Sequence, residues 1–407
     1  MLKYLNRLAE AKFLRLNNNF PAVLVCGPRQ VGKTTMLMHL AKSSARTYVT
    51  LDDLKIRDLA ISDPALFFQV YKPPIIIDEI QYAPNLFSQI KLMCDSSQTN
   101  GDFWLTGSQS YSIMKNVSES LAGRVGIMQM YGLTTQELEQ ANYETIKTFD
   151  LQTLQASFKN PPNIQSTFNY IFNGNMPKLI DTNDDFRKEY YYSYINTYIM
   201  RDAMELGKVG DIVKFNRFLT ACATLVGNLL NIATLAQASG VSQSTAKEWL
   251  EVLVGMNIVY LLQPYGSNLL KRLVRTPKLY FYDTGLCAHI LNWPSSSVLQ
   301  TGPMAGAFFE NYIINQINIK YQLLPQSPNL FFYRDNDQKE IDLVLENVSE
   351  LIPLEIKLSA NPTAKEIVKF VALDKLNKTI ASGGIICLID KPLPINTLHN
   401  YIPASIL

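Results

Sequence analysis

The sequence predicts an α/β protein. An N-terminal phosphate-loop domain on a mostly parallel sheet leads into a helical connector, a winged helix-turn-helix and a second α/β domain. Three observations carry this expectation. The apolar run Val23-Leu-Val-Cys26 opens into Gly27-x-x-x-x-Gly32-Lys33-Thr34; the buried-strand pattern Pro73-Pro-Ile-Ile-Ile77 ends in Asp78-Glu79; and two strand-like stretches near the C-terminus bring Asp342, Glu355 and Lys357 to one face. A chain of 407 residues exceeds the roughly 250–300 residues at which single cores stop growing, so several domains are expected. Their boundaries are read as 1–135, 136–206, 207–275 and 276–407.

Composition narrows the classes without choosing among them. Apolar residues make up 47% and charged residues 18%, with a formal charge of +2, so any nucleic-acid surface must be local. Cys26, Cys94, Cys222, Cys287 and Cys387 lie far apart with no Cys-x-x-Cys pair, which suggests neither a disulfide framework nor a zinc site and fits a reducing cytoplasm. No stretch approaches the ~18 uninterrupted apolar residues of a membrane span. From Met1 to about Arg15, Leu2, Leu5, Leu8 and Ala9 recur at helical spacing, and Asn17-Asn18-Asn19 is expected to end that helix.

The phosphate loop dictates its own residue types. Successive backbone N–H groups must turn inward as an anion nest, which requires glycine at its ends, here Gly27 and Gly32 around Pro28, Arg29, Gln30 and Val31. Lys33 is expected on the β- and γ-phosphates of ATP and the Thr34 hydroxyl on Mg²⁺, with Thr35 opening a helix whose N-terminus favours negative charge. Beyond it, Thr47-Tyr-Val-Thr-Leu-Asp-Asp reads as a strand, followed by a helical stretch broken at Pro64. Ligands bind beyond the carboxyl ends of parallel strands. Asp78 is therefore expected beside the loop, on a Mg²⁺-bound water, and Glu79 as the residue that orients or deprotonates the attacking water. The strand Phe103-Trp-Leu-Thr-Gly-Ser-Gln offers Thr106 or Ser108 as a γ-phosphate sensor, although a strand-to-turn junction with serine caps explains the same residues.

Taken together, Gly27-Pro-Arg-Gln-Val-Gly-Lys-Thr-Thr, Ile77-Asp-Glu-Ile-Gln, Leu105-Thr-Gly-Ser-Gln and Ser120-Leu-Ala-Gly-Arg resemble prokaryotic AAA-type ATPases that carry a C-terminal domain of unknown function. Tyr198-Ile-Met-Arg-Asp, Lys278-Leu-Tyr-Phe-Tyr-Asp-Thr-Gly-Leu and Glu340-Ile-Asp extend the likeness over nearly the whole chain. The resemblance implies ATP binding and places Arg124 near a γ-phosphate, either in its own chain or across a homo-oligomer boundary. Asn175, in Asn173-Gly-Asn-Met-Pro, stands where the family tends to have a second glycine.

The connector supplies no catalytic pattern, and the tyrosines between Tyr190 and Tyr198 recur at the spacing of a packing face. Further on, Leu230 to Leu250 reads as a helix-turn-helix with Gly240 in the turn and Ser242 capping the second helix. Ala246, Leu250, Leu253 and Val254 are expected to be buried. Gln243, Ser244, Thr245, Lys247 and Glu248 then face outward as a DNA-contact set, with Lys271, Arg272 and Arg275 on a wing. Between Asp211 and Arg275, six basic residues (Lys214, Arg217, Lys247, Lys271, Arg272, Arg275) face three acidic ones (Asp211, Glu248, Glu251), a surplus of three. Packing or contact with a protein partner explains this segment as well as DNA reading does.

In the last segment, Lys339-Glu-Ile-Asp-Leu-Val-Leu and Pro353-Leu-Glu-Ile-Lys-Leu read as neighbouring strands. Alternation puts Asp342 on one face with Glu355 and Lys357, and Glu310 is expected to complete a Mg²⁺ ligand set from a helix. Asp-x(n)-Glu-x-Lys resembles the restriction-endonuclease superfamily, which implies DNA or RNA as a partner. A working nuclease and a fold kept for binding alone both remain open. So does a nucleotide-loaded switch or scaffold for protein partners.

Overall fold

The computed structural model describes residues 4–97, 99–108, 121–140, 162–205, 209–266, 276–325, 329–335 and 337–407. The chain divides into two compact units, 1–133 with 176–178 and 255–257, and the remainder.

In the first unit, five strands among the described residues form one parallel sheet: β1 (Ala22–Cys26), β2 (Thr47–Thr50), β3 (Ile75–Asp78), β4 (Phe103–Gly107) and β5 (Val125–Gln129), in the order β2-β3-β4-β1-β5. Strands β1, β3 and β4 are buried throughout, as their apolar runs require of a sheet covered on both faces. The unit's helices are α1 (Ala9–Asn19), α2 (Lys33–Leu40), α3 (Leu54–Ser62), α4 (Pro64–Val70) and α5 (Leu86–Ser97). Asp53 and Asp63 cap α3 and α4, so Pro64 takes the first turn of a new helix where its missing N–H costs nothing. The first helix starts later than its leucine spacing predicts and runs through Asn17, Asn18 and Asn19. Its buried stripe is Ala9 and Phe13, and Phe13 meets Trp104 of β4 edge-on at 4.8 Å. Glu10 accepts the Arg7 N–H at 2.7 Å, which halts the helix there and leaves Arg7 free of helical geometry.

The second unit opens with α6 (Thr135–Leu138) and α7 (Ile164–Asn173). Then α8 (Asp184–Tyr194) continues through a π-helical turn, Ile195–Ile199, into α9 (Met200–Glu205). Tyr190, Tyr191, Tyr194 and Tyr198 are buried along this rod, as their spacing predicts for packing. Next come α10 (Ile212–Thr224), α11 (Ile232–Ser239) and α12 (Gln243–Gly255), with Gly240 left-handed at φ 68° between the last two. Strands β6 (Val259–Leu262) and β7 (Lys278–Phe281) follow as an antiparallel pair. Trp249 and Val252 join Ala246, Leu250 and Leu253 in the core of α12, whereas Val254 is 36% exposed, a correction to the expected stripe. Trp249 packs edge-on against both Phe215 and Phe218 of α10, and that aromatic anchor turns the helix.

After α13 (Thr284–Ile290), α14 (Ser296–Thr301) and α15 (Ala305–Gln322), the chain builds a mixed sheet from β8 (Asn329–Arg334), β9 (Glu340–Glu346), β10 (Glu350–Ile356), β11 (Thr379–Ile380), β12 (Gly384–Cys387), β13 (Leu393–Pro394) and β14 (Asn400–Pro403). Strands β8, β9 and β10 form an antiparallel meander, and β12 lies parallel to β10. The two strands expected near the C-terminus are therefore neighbours. A 3-10 segment, Ala364–Leu376, covers one face with Phe370 and Leu373.

Candidate functional site

At the carboxyl end of β1 the chain enters its glycine turn. Gly27 has φ 144° and Gly32 φ 93°, values that L side chains rarely adopt, and a Cβ at Gly27 would lie 2.0 Å from the Met130 carbonyl oxygen. Both glycines are thus fixed by backbone geometry. Gly32 caps α2, so the turn ends on a helix N-terminus. The Lys33 ammonium, 6% exposed, donates to the carbonyls of Gly27 at 2.9 Å and Pro28 at 2.8 Å. Burial lowers its proton affinity, while Glu79, Cys26 and Asp78 oppose that shift. Arg29 reaches the Tyr82 hydroxyl at 3.3 Å; Pro28, Gln30, Val31 and Thr35 complete the loop and its entry into α2.

The sheet order brings the acids here by an indirect route. Strand β4 lies between β1 and β3, so the acid-tipped strand is one place removed from the loop. Thr106 on that intervening strand is fully buried and donates to Asp78 Oδ1. Its own oxygen accepts the Glu79 N–H at 3.1 Å. The Thr34 hydroxyl donates to the same Asp78 oxygen at 2.6 Å, and the Tyr48 hydroxyl donates to Oδ2 at 3.2 Å. Asp78 thus faces Thr34 from beyond one strand, held by three hydroxyls.

Glu79 adopts left-handed backbone at φ 57°. Its Oε2 accepts from the Gln81 side chain and from Ser108 Oγ, the latter at 3.1 Å. Ser108 therefore fixes Glu79, and Thr106 braces Asp78, where sequence reasoning expected one of them to sense phosphate. Sequence reasoning assigns no role to Tyr48 or Gln81: Tyr48 sits in an ordinary alternating strand, and Gln81 closes the Ile77-Asp-Glu-Ile-Gln motif without a chemistry of its own.

Arg124 is not brought to the loop within its chain. It precedes β5, whose Val125 pairs with Ala22 and whose Gln129 pairs with Cys26 in parallel register. Five residues of strand, about 16 Å at the usual rise, separate that end of the sheet from the phosphate turn. There Arg124 binds the exposed Asp95 on α5, with a second contact at 3.1 Å. Its expected role in its own chain is therefore corrected by strand direction.

The second constellation is also partly assembled. The β9–β10 register, Leu343 opposite Leu354, puts Asp342 opposite Glu355 one step further on. Asp342 Oδ2 accepts the Ile356 N–H at 2.9 Å and lies 3.7 Å from the Lys357 ammonium. Glu355 has no exposed surface; Lys357 and Lys369 both donate to its Oε1, while Oε2 is buried without a hydrogen-bond partner. Burial, followed by the Asp342 charge, pushes its carboxyl up to about 8. Lys369 comes from the 3-10 segment and had not been singled out.

Glu310 departs from the expected ligand set. Its carboxylate accepts from Tyr280 and from Lys278 at 3.1 Å, and Lys278 also pairs with Glu340 at 2.7 Å. Among the described residues no group of three or more His, Cys, Asp or Glu side chains is disposed to hold a metal ion. The expected three-carboxylate metal site is corrected on that ground: Lys357 and Lys369 meet Asp342 and Glu355, and Lys278, shared with Glu340, meets Glu310, whose carboxyl burial and the Asp342 charge push up.

On α12, Gln243, Ser244, Lys247 and Glu248 are exposed and Thr245 half-buried. Ser242 Oγ accepts the Thr245 N–H at 3.1 Å, the expected cap, and also meets the hydroxyls of Ser244 and Thr245 at 2.7 and 2.9 Å. Lys271, Arg272 and Arg275 lie outside the described residues. Asn175 donates through its side chain to the Tyr282 carbonyl at 2.9 Å, a bond that glycine could not make.

Residues 19–139 match the profile of an AAA domain. Residues 164–297 and 305–407 match two domains of unknown function, DUF8612 and DUF4143. An uncharacterised protein of Mycobacterium tuberculosis is 28% identical over 368 residues, covering 90% of this chain and 77% of that protein. An uncharacterised Methanocaldococcus jannaschii protein is 20% identical over 377 residues, covering 88% and 81%. The Walker-type ATPase of Pyrococcus abyssi superposes with a TM-score of 0.44 at 15% identity, over 70% of this chain and 94% of that one, a level that carries no functional argument.

Proposed function

We propose that the chain binds and hydrolyses Mg²⁺-ATP in its first unit and uses that cycle to govern a nucleic-acid-directed second unit. One observation carries the first half: the Thr34 hydroxyl donates to Asp78 Oδ1 at 2.6 Å directly after the Lys33 turn. A hydroxyl and a carboxylate at that separation suit a cation that keeps most of its water. Thr34 and Asp78 would hold Mg²⁺, which supplies charge neutralisation for the triphosphate. Lys33 would move from the Gly27 and Pro28 carbonyls onto phosphate oxygens. Glu79, steered by Gln81 and Ser108, would take the proton of the attacking water. Arg124 would serve a neighbouring copy's site or none. Lys33→Ala tests the assignment: phosphate release should fall to background, and undiminished turnover in clean protein overturns it.

For the second unit, α10–α12 with the β6–β7 pair support a winged-helix reading, with Gln243, Ser244, Thr245, Lys247, Lys271 and Arg272 toward nucleic acid. Strands β9 and β10 with α15 support a restriction-endonuclease-like fold. The boundaries 1–135, 136–206, 207–275 and 276–407 belong to the same proposal, as does a cytoplasmic location. For the chain itself, no helix among the described residues is long and apolar enough to cross a membrane.

A second reading, a nucleotide-dependent switch that binds protein partners without cleaving nucleic acid, is favoured by the lysines on Glu355 and by the diversion of Glu310 to Lys278. Binding of labelled DNA across a salt series separates the two. Phosphate contacts lose affinity linearly on a log–log plot; the switch shows no salt-dependent DNA binding.

A further inference from the structure

Arg7 sits where the phosphate loop meets the segment that leaves the first unit. Its guanidinium, in a side chain 7% exposed, donates to the Val31 carbonyl at 2.8 Å, to the Tyr131 carbonyl at 2.8 Å and to the Gly132 carbonyl at 3.3 Å. Around it the N-terminal segment is anchored twice. Glu10 accepts from the Arg7 N–H and from the Tyr4 hydroxyl, each at 2.7 Å, and the Tyr4 ring stacks on His39 of α2 at 3.8 Å. The other end of the loop bears on the same segment, since Gly27 abuts the Met130 carbonyl and Met130 N–H donates to Cys26 at 2.8 Å. Both ends of the loop are therefore keyed to residues 130–132.

Two residues later the chain is already locked into the second unit. Thr134 and Glu137 form a reciprocal capping box with bonds of 2.7 and 3.2 Å. The Thr135 N–H donates to Gln316 Oε1 at 3.0 Å, and its hydroxyl bonds the Tyr312 hydroxyl, both on α15, the helix that carries Glu310. From Gly132 to Thr135 the backbone spans at most about 10 Å, and residues 133–137 are buried throughout.

We infer that Arg7 is a positioning residue that orients the phosphate loop and transmits its occupancy through residues 131–135 to α15. The inference rests on the ATP reading given above. A trans peptide sets its C=O and N–H antiparallel, so gripping the Val31 carbonyl fixes the plane whose N–H, that of Gly32, belongs to the anion nest. The same guanidinium grips the exit segment, and its planar fork serves several acceptors at once where an ammonium offers a point charge. When phosphate draws Lys33 off the Gly27 and Pro28 carbonyls, the turn readjusts against Met130 at one end and against Arg7 at the other. Both displacements fall on the strand exit.

Hydrogen–deuterium exchange of the full chain with and without a saturating non-hydrolysable ATP analogue and Mg²⁺ tests this. In wild type, peptides over 27–36, 130–140 and 305–322 should all exchange more slowly with nucleotide, by roughly tenfold for the first two. Arg7→Ala should weaken nucleotide binding roughly tenfold. At saturation it should keep the protection of 27–36 and lose the nucleotide-dependent change at 130–140 and 305–322, with Arg7→Lys restoring part of it. A merely structural arginine would raise exchange equally with and without nucleotide. Should Arg7→Ala fail to fold, Thr135→Val with Gln316→Leu cuts the route further on; nucleotide affinity should stay intact and only the 305–322 response disappear. Wild type showing no protection at 27–36 overturns the ATP reading. Protection there without any response at 130–140 and 305–322, or a response that survives Arg7→Ala or the double variant, overturns the inference alone.

Discussion

Both units place an aspartate, a glutamate and a lysine within a few ångströms of β-strand ends, yet they hold them by opposite means. At the phosphate loop, Asp78 and Glu79 are gripped by neutral donors, the hydroxyls of Thr34, Tyr48, Thr106 and Ser108 and the amide of Gln81. Neutral donors orient a carboxylate without cancelling its charge, so the pair stays attractive to a cation. At β9 and β10, Glu355 is gripped by two ammonium groups and Asp342 lies beside one of them. Those lysines compete with any metal that would replace them. Residue type at motif spacing is alike in the two places; what differs is the charge of the partners.

The widest separation comes from the two lysines. Lys33→Ala should lower ATP turnover by roughly a thousandfold or more, as expected when a preorganised phosphate contact is removed. Lys357→Ala should leave turnover within about twofold, because it lies outside the loop chemistry. Equal losses, measured by phosphate release, would collapse the distinction.

Thr106→Val comes next, since it removes the hydroxyl shared by Asp78 and the Glu79 N–H. Stranding those buried groups should cost about 1–3 kcal/mol of stability in denaturant unfolding. Turnover should drop about tenfold with nucleotide affinity nearly kept. A neutral outcome on both counts would remove Thr106 from the site.

Lys369→Met sharpens the other half. Freed of one competing cation, the Asp342–Glu355 pair should bind Mn²⁺ about tenfold more tightly than wild type, the worth of one buried charged hydrogen bond. Mn²⁺-dependent change in Tm reads this out. Unaltered or weakened metal binding would mean that the lysine does not compete there.

The smallest effect is in pH. Glu355 is raised from 4.5 to about 8 by burial, so the folded chain holds a proton that the unfolded chain has released. The stability this contributes is present in full below pH 4.5 and is lost as pH rises through 8. Lys357 is raised above 10.5, and its contribution fades only above that window. Glu355→Gln should flatten the fall of Tm between pH 5 and pH 8 of roughly the width expected for one group; an unchanged slope would assign the fall elsewhere.

Much of the first site was legible because its parts are contiguous. Gly27 to Thr34 needs only local backbone rules, and Ile75-Ile-Ile-Asp-Glu is a buried strand with a charged end. The partners of those acids were not legible. Strand order inserts β4 between β1 and β3, and only that order turns Thr106 into a brace. Arg7 reaches carbonyls at residues 31, 131 and 132 across the fold, a pairing no periodicity encodes. For Arg124 only the in-chain alternative falls, because a motif gives a residue's neighbours but not the direction of its strand. In the second unit, alternation rightly set Asp342, Glu355 and Lys357 together, while Lys278 and Lys369 arrive from a distant strand and a 3-10 segment and change what the cluster can do. Val254 was expected inside because helical spacing permits two stripes, and the Phe215–Trp249–Phe218 contacts choose the other.

The central claim is that a triphosphate and its magnesium are held between the Lys33 turn and Asp78. Calorimetric titration of ATP into wild type and Lys33→Ala, each with and without Mg²⁺, tests it most directly. Wild type should bind one ATP per chain with an affinity that rises on adding Mg²⁺, and Lys33→Ala should lose that binding. Equal affinity in the two proteins, or wild-type binding indifferent to Mg²⁺, would contradict it.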